Sequence, residues 1–243
     1  MTRTALITGG ARGIGRQVAL DLAAGGWAVA LCYRTSAEAA EGTRRGVEER
    51  GAPALAVPAD VSDPAACEAL VRRVLDWRGR IDALVHCAGP YHRVDLFQET
   101  PAGWRDMFAN NLDSLFYMAR AVAPGMIEAK WGRIVAFSMA NADRLQAQPM
   151  VTAYYLAKVG VLGLVRTLSK LLARHNVTVN AVSPGFIDSG SMPEDELKQM
   201  AKKIPAGYIG TPREVASVVR FLLSDEAGYV NGTNVHVSGG WGL

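Results

Sequence analysis

The chain has 243 residues, which is long for one domain but still fits a single α/β domain with one core. Apolar residues make up 49% and charged residues 20%, which excludes a disordered, collagen-like or disulfide-rich chain. The net charge of +3 is small and the basic residues are scattered, so no basic stripe for nucleic acid is visible.

Three observations predict where the protein works. The three cysteines form no C-x-x-C pair, which argues against a disulfide framework and favours a reducing cytosol. Residues 1–3 lead straight into a strand and leave no room for a signal peptide. No apolar run approaches the roughly 20 residues of a membrane span, so we expect a cytoplasmic protein with no membrane contact.

Strand-like and helix-like segments alternate along the whole chain, without an internal repeat or a linker. Apolar runs closed by turn residues predict strands, and apolar residues at helical spacing predict helices. In chain order these are strand Thr4–Thr8, helix 14–24, strand 27–33, helix 36–50, strand 54–57, helix 64–77, strand 81–85, helix 101–130 with an interruption near Pro124, strand 132–138, helix 152–174, strand 177–182, helix 194–203, a helix from 212 and strand 233–237.

This alternation predicts the fold. Strands that are apolar on both faces and separated by helices form a parallel sheet with helices on each side. We therefore predict an α/β fold over residues 1–243, a single doubly wound Rossmann-type domain with about seven strands. In such folds a ligand binds beyond the C-terminal ends of the strands.

A glycine-rich turn, Thr8-Gly9-Gly10-Ala11-Arg12-Gly13-Ile14-Gly15, joins the first strand to the first helix. Glycines there let backbone amides approach a pyrophosphate, and the helix N-terminus adds free N–H donors. The alternative is a turn that only packs helix on strand. Its place between the first strand and the first helix favours a dinucleotide site.

The end of the second strand indicates which dinucleotide. An acidic residue there binds the ribose 2′-hydroxyl of NAD, whereas a basic one accommodates the 2′-phosphate of NADP. Arg34 stands at this place with no acid beside it, and Arg12 adds a second charge. The alternative for Arg34 is a solvated surface arginine; two arginines near one pocket favour NADP(H).

Tyr154 and Lys158 are four residues apart in a helical segment and so share one face. A tyrosine pKa of about 10 is too high for acid–base work at neutral pH, and a nearby ammonium lowers it. A helix that carries both residues by chance remains the alternative, because the Y-x-x-x-K pattern alone is common.

The order of several motifs carries a resemblance. The T-G-x-x-x-G-x-G turn, Asp60-Val61, Ala88-Gly89, Asn111, Tyr154-x-x-x-Lys158 and Pro184-Gly185 follow one another along the chain. With them the sequence resembles the short-chain dehydrogenase/reductase family over essentially its whole length. The stretch 204–240 is similar to the 3-oxoacyl-acyl-carrier-protein reductase branch.

The resemblance implies that a hydride passes between a nicotinamide and a carbonyl carbon. It implies that Tyr154 gives a proton to the carbonyl oxygen, that Lys158 holds the nicotinamide ribose and lowers the tyrosine pKa, and that Asn111 helps to hold a relay water. Asp60 would contact the adenine and Ser189 the carboxamide. The cofactor residues expected in total are Gly9, Arg12, Gly13, Ile14, Gly15, Arg34, Asp60, Val61, Ala88, Gly89, Lys158, Pro184, Gly185, Ile187 and Ser189.

The pattern departs from the family at two places near the site. Cys87 stands where the family has the asparagine of its N-A-G motif, and we expect a packed, inert thiol there. Met139 stands where the family has its catalytic serine, and Ser138 precedes it. Neighbouring residues on a strand point to opposite faces, so Ser138 substitutes only if the backbone bulges. Either Ser138 is catalytic or the site has no serine hydroxyl.

Two functions are therefore open. The first is an NADPH-dependent reductase that converts a carbonyl, for example a 3-oxoacyl thioester, to an alcohol. The second is a dinucleotide-binding protein with little turnover that acts as a regulatory or structural partner. The resemblance also implies a homotetramer or homodimer formed through helices 101–130 and 152–174. The four histidines lie in different elements at no ligand spacing, so we expect no metal site.

Overall fold

A computed structural model describes residues 2–188 and 194–242. Within these residues the strands are β1 (Thr4–Thr8), β2 (Ala28–Tyr33), β3 (Ala54–Pro58), β4 (Ala83–His86), β5 (Gly132–Phe137), β6 (Val177–Pro184) and β7 (Asn234–Val237). The helices are α1 (Gly13–Ala24), α2 (Ala37–Glu48), α3 (Pro64–Arg78), α4 (Pro101–Phe108), α5 (Ser114–Ala129), α6 (Thr152–Leu172), α7 (Glu194–Ala201) and α8 (Pro212–Leu223).

The strands form one parallel sheet in the order β3-β2-β1-β4-β5-β6-β7. This confirms the predicted doubly wound Rossmann-type fold. The chain adds strands outward from β1 to β3, then returns to the other side of β1 with β4. The order reverses between β1 and β4, and a ligand binds at the C-terminal ends of strands at such a point.

Alternate residues of each strand supply two separate cores. On β1, Leu6 packs in the core that α3, α5 and α6 cover, while Ala5 and Ile7 pack in the core that α1, α2 and α8 cover. All three side chains are fully buried. Burial on both faces explains why β1 has no polar alternation in the sequence.

The predicted helix 101–130 is interrupted at a different place from the one expected. Ala109–Asp113 form a π-helical turn between α4 and α5, whereas α5 continues through Pro124. Pro124 and Arg120 are exposed, so water can satisfy the Arg120 carbonyl that loses its helical bond at the proline. A π-helical turn often marks a functional site, and this one contains Asn111.

Other predicted boundaries hold to within a few residues. Thr211 caps α8 as predicted: its hydroxyl accepts from the Glu214 amide at 3.4 Å, and the Glu214 carboxylate accepts from the Thr211 amide at 2.7 Å. β6 runs two residues further than expected, to Pro184. Across residues 2–188 and 194–242, none of the helices is both long enough and apolar enough to cross a bilayer.

Candidate active site

The glycine-rich turn follows β1 at the point where the strand order reverses. Gly9 and Gly13 have φ angles of +64° and +57°, which favour glycine. A Cβ on Gly9 would lie 3.0 Å from the Ala88 nitrogen, so the turn packs directly on the end of β4. No side chain caps α1, which leaves its first amide groups free for an anion. This cradle fits a dinucleotide pyrophosphate.

Arg34 lies just after β2 and is exposed. Its guanidinium donates to Asn110 Oδ1 at 3.2 Å and lies 3.8 Å from the Asp60 carboxylate. Burial opposes the charge on Asp60, but hydrogen bonds from the Ser62 hydroxyl and amide, together with the Arg34 charge, outweigh it and lower the Asp60 pKa. Arg12 is also exposed and forms no ion pair with another described residue. Both guanidinium groups are therefore accessible to an anionic ligand from solvent, although Arg34 already pairs with Asn110 and Asp60.

Tyr154 and Lys158 lie on the first turns of α6, beside the end of β5. The Lys158 Nζ atom is 5.5 Å from the centre of the Tyr154 ring and donates to the Phe137 carbonyl at 2.9 Å. Tyr154 is half-buried, whereas Lys158 is buried. The helical spacing predicted from the sequence thus brings both groups to the C-terminal edge of the sheet.

The pKa of Tyr154 differs from the expectation. Burial raises it to about 12, and Tyr91 adds to the increase, whereas we expected Lys158 to lower it. Burial also lowers the pKa of Lys158 to about 8. The ammonium contacts the Phe137 carbonyl and lies over the tyrosine ring, while the pKa of Tyr154 in the free protein is set mainly by desolvation of the phenol.

Asn111 and Gly89 complete this part of the site. Asn111 Nδ2 donates to the carbonyls of Met107 and Pro90, at 3.0 and 3.1 Å, while its Oδ1 atom is buried without a partner. A Cβ on Gly89 would lie 2.5 Å from Asn111 Oδ1 and 3.2 Å from Lys158 Nζ. The missing side chain of Gly89 therefore leaves a polar cradle between an unpaired acceptor and an ammonium, which fits a sugar hydroxyl.

Of the two alternatives for the serine, the structure favours a site without a serine hydroxyl. The Ser138 hydroxyl is buried and donates its only proton to the Lys158 carbonyl at 2.8 Å. Met139 is half-buried and packs against the core under α5 and α6. Ser138 thus fixes α6 on the end of β5, and its hydroxyl proton is committed to that contact.

Tyr155, the neighbour of Tyr154, has a structural role. It is buried, and its hydroxyl accepts from the Gln146 amide at 2.9 Å. This contact holds the loop between β5 and α6. The Tyr154 ring lies beside Lys158 Nζ, which is the arrangement that the Y-x-x-x-K spacing predicts.

The structure contains a buried histidine network that sequence motifs do not reveal, since in the sequence His86 is a candidate only for a metal ligand. The Ser114 hydroxyl donates to the Asn110 carbonyl at 2.8 Å and so accepts from His86 Nε2 at 3.0 Å. His86 Nδ1 then accepts from the Thr8 hydroxyl at 3.0 Å, and that hydroxyl accepts from the Ala88 amide at 3.1 Å. A polar residue at the end of a buried apolar strand was the signal, because such groups require partners.

This network links the glycine turn, the end of β4 and the π-helical turn that carries Asn111. Burial lowers the pKa of His86 to about 3, so the ring is neutral. Next to it, burial raises the pKa of the Cys87 thiol, in keeping with the inert thiol predicted. The His86 ring, rather than the Cys87 side chain, thus holds these elements together.

The remaining expected residues lie on the same edge. Gly185 donates its amide to the Val237 carbonyl at 3.0 Å, and the Pro184 carbonyl accepts from Ala140 at 3.1 Å. Ile187 is half-buried and bridges to Gly210, and Val61 is buried just after Asp60. Ser189 lies outside the described residues. The described parts of the chain contain no group of His, Cys, Asp or Glu side chains arranged to hold a metal ion.

Comparison with known proteins extends the likeness to the whole chain. The family described as Enoyl-(Acyl carrier protein) reductase matches residues 9–242. The 3-oxoacyl-[acyl-carrier-protein] reductase of Staphylococcus aureus (strain Mu50) is 36% identical and covers 99% of this chain and 98% of its own. The corresponding reductase of Synechocystis sp. is 36% identical over 98% of this chain and 96% of its own.

Solved structures agree with these relatives. The acetoin dehydrogenase from Enterobacter cloacae superposes with a TM-score of 0.92 at 31% identity, over 99% of this chain and 96% of its own. Likeness of this extent covers every element that builds the site. The chain therefore belongs to the short-chain dehydrogenase/reductase family, in the branch of the 3-oxoacyl-acyl-carrier-protein reductases, and is an oxidoreductase that acts on CH–OH and C=O groups.

Proposed function

We propose that the protein is an NADPH-dependent reductase that converts the ketone of a 3-oxoacyl thioester to an alcohol. The observation that carries this proposal is the convergence of Lys158 and Asn111 on Gly89, next to the glycine turn, with the Tyr154 ring beside Lys158. The names of the curated relatives support the substrate class. The exposed Arg34 and Arg12 support NADPH over NADH.

In the proposed reaction the dinucleotide, when bound, supplies a hydride to the carbonyl carbon. Tyr154 holds its proton at neutral pH, because its pKa is about 12, and donates that proton to the carbonyl oxygen. The Lys158 ammonium lies beside the ring and stabilises the phenolate that this transfer leaves. Asn111 Oδ1, which has no partner among the described residues, would accept a hydrogen bond from the water molecule that relays protons to Lys158.

The test is a reductase assay on purified protein with NADPH or NADH, using a 3-oxoacyl thioester and a small diketone in parallel. Tyr154→Phe removes the proton donor and should lower kcat by roughly 10²–10⁴-fold. Tyr155→Phe is the matched control, since its hydroxyl faces the Gln146 amide, and it should lose far less. Equal loss in both variants would contradict the assignment of Tyr154.

Met139 in place of a serine favours the second candidate, a dinucleotide-binding protein with little turnover. The two functions separate in one experiment. Tight NADPH binding by calorimetry, together with no turnover of any carbonyl, would support the second and overturn the first.

We also propose a homodimer or homotetramer that works in the cytoplasm. Large apolar side chains are exposed on the outer faces of α5 and α6, where they suit a helix–helix interface. They are Phe116, Leu156 and Leu171. The cysteines Cys32, Cys67 and Cys87 are all free, which suits a reducing compartment.

A further inference from the structure

A ketone oxygen that is being reduced needs more than one hydrogen-bond donor. Negative charge develops on it as the hydride adds, and a pre-positioned donor stabilises that charge in the transition state. Tyr154 can donate a hydrogen bond to one lone pair of the ketone oxygen. The side chains at the end of β5 do not serve the other, because the Ser138 hydroxyl donates to the Lys158 carbonyl at 2.8 Å and the Met139 side chain has no donor.

A second phenol lies next to Tyr154. The Tyr91 ring meets the Tyr154 ring edge-to-face, with centroids 5.1 Å apart and planes at 89°. Tyr91 is 61% exposed, and its hydroxyl bonds to no other described residue. Among the described residues it is thus an uncommitted donor at the side of the proton donor.

The segment that carries Tyr91 is held at both ends. On one side Asn111 Nδ2 donates to the carbonyl of Pro90 at 3.1 Å. On the other, the Val94 amide donates to the Met150 carbonyl at 2.9 Å, just before the helix that bears Tyr154. These bonds tie the Tyr91 segment to both parts of the candidate active site, so the phenol is positioned before substrate binds.

We propose that the Tyr91 hydroxyl is the second hydrogen-bond donor to the substrate carbonyl, beside Tyr154. The role rests on the carbonyl reduction proposed above. In the step, the hydride forms the new C–H bond, the C=O π pair takes the Tyr154 proton, and Tyr91 keeps its own proton. The contribution of Tyr91 to the raised pKa of Tyr154 supports the proximity of the two phenols.

Tyr91→Phe tests the role, because it keeps the ring contact and removes only the hydroxyl. We expect kcat with the ketone to fall about 10²-fold, by analogy with the loss of one oxyanion donor. The Kd for NADPH, measured by fluorescence titration, should not change. Tyr229→Phe removes a phenol that is fully exposed and should leave both quantities at the wild-type value.

A compensating variant distinguishes the hydroxyl from packing. Met139→Ser restores a hydroxyl near the end of β5, and in the Tyr91→Phe background it should recover at least about 10-fold of the lost kcat. If Met139→Ser does not restore kcat in the Tyr91→Phe background, the loss would be due to packing and the proposal would be overturned. Wild-type kcat in Tyr91→Phe would overturn it too. A wild-type protein that reduces no carbonyl would instead refute the proposed function together with this role.

Discussion

The buried His86 makes the stability of the fold depend on pH between about 3 and 6.5. The folded protein holds the ring neutral between Thr8 and Ser114, and burial lowers its pKa from 6.5 to about 3. The unfolded chain binds a proton below about pH 6.5. Since the folded pKa is the lower one, the stabilisation is fully present above about pH 6.5 and is lost as the pH falls towards about 3.

The size of the effect follows from the linkage relation. Each pH unit inside the window costs about 1.4 kcal/mol of the free energy of unfolding, so a change from about pH 7.5 to about pH 5 costs about 2 kcal/mol. Lys158 adds little slope there, because a folded pKa of about 8 leaves it mostly protonated at about pH 7.5 and protonated in both states at lower pH. The lowered pKa values of Asp60, Asp143 and Asp225 matter only near and below their ordinary value of 3.8.

The assay is urea unfolding of the wild type and of His86→Gln at both pH values, at one protein concentration because association adds stability. Glutamine offers an acceptor and a donor but does not titrate, so its stability should change little between the two pH values. His175→Gln, in the turn after α6, is the control and should keep the wild-type slope. A 2 kcal/mol acid loss that persists in His86→Gln would refute the reasoning.

Four further predictions concern the site and the assembly. Arg34→Ser should raise the Kd for NADPH by about 10–10²-fold and leave that for NADH unchanged, as measured by fluorescence titration. The kcat/KM of the wild type should fall as the pH rises through about 8, where Lys158 of the free enzyme loses its proton, as a pH–rate profile would show. Gly89→Ala should lower kcat by about 10²-fold in the reductase assay, since its Cβ displaces Asn111 and Lys158. Phe116→Glu should shift the oligomer towards monomer in sedimentation velocity.

Each of these has a contrary result. Equal losses of NADPH and NADH affinity in Arg34→Ser would mean that Arg34 does not recognise the 2′-phosphate. A flat pH–rate profile across about pH 7–9 would show that the rate does not depend on the charge of Lys158. Wild-type activity in Gly89→Ala would show that the cradle tolerates a methyl group. A wild-type protein that sediments as a monomer would refute the proposed interface.

The sheet was predictable because its strands are buried on both faces. Leu6 and its neighbours Ala5 and Ile7 enter different cores, which produces the continuous apolar run that the sequence shows. The interruption of the helix at 101–130 was not predictable from local signals. Pro124 was the obvious signal for a break, but it lies on an exposed face where the helix continues. The actual break lies where the Asn111 side chain donates to the carbonyls of Met107 and Pro90.

The candidate site was predictable where function depends on spacing along one element. Tyr154 and Lys158 share a helix, so their separation by four residues already placed them together. The role of His86 was hidden, because its partners Thr8 and Ser114 are 78 and 28 residues away in the chain. Contacts of that range depend on the register of β1 and β4, which the sequence does not state.

The same burial shifts the two central pKa values in opposite directions, and together they set the protonation state from which the proposed reaction starts. Reduction needs a Tyr154 that carries its proton, and a pKa of about 12 ensures this at neutral pH. Oxidation of an alcohol needs the phenolate form of Tyr154 instead, and at that pKa the phenolate is rare until the pH is high. At such a pH Lys158, with a pKa of about 8, has already lost the positive charge that would stabilise the phenolate. In the proposed reduction the free site therefore starts with the proton on Tyr154, and a second donor such as Tyr91 would stabilise the carbonyl oxygen as charge develops on it.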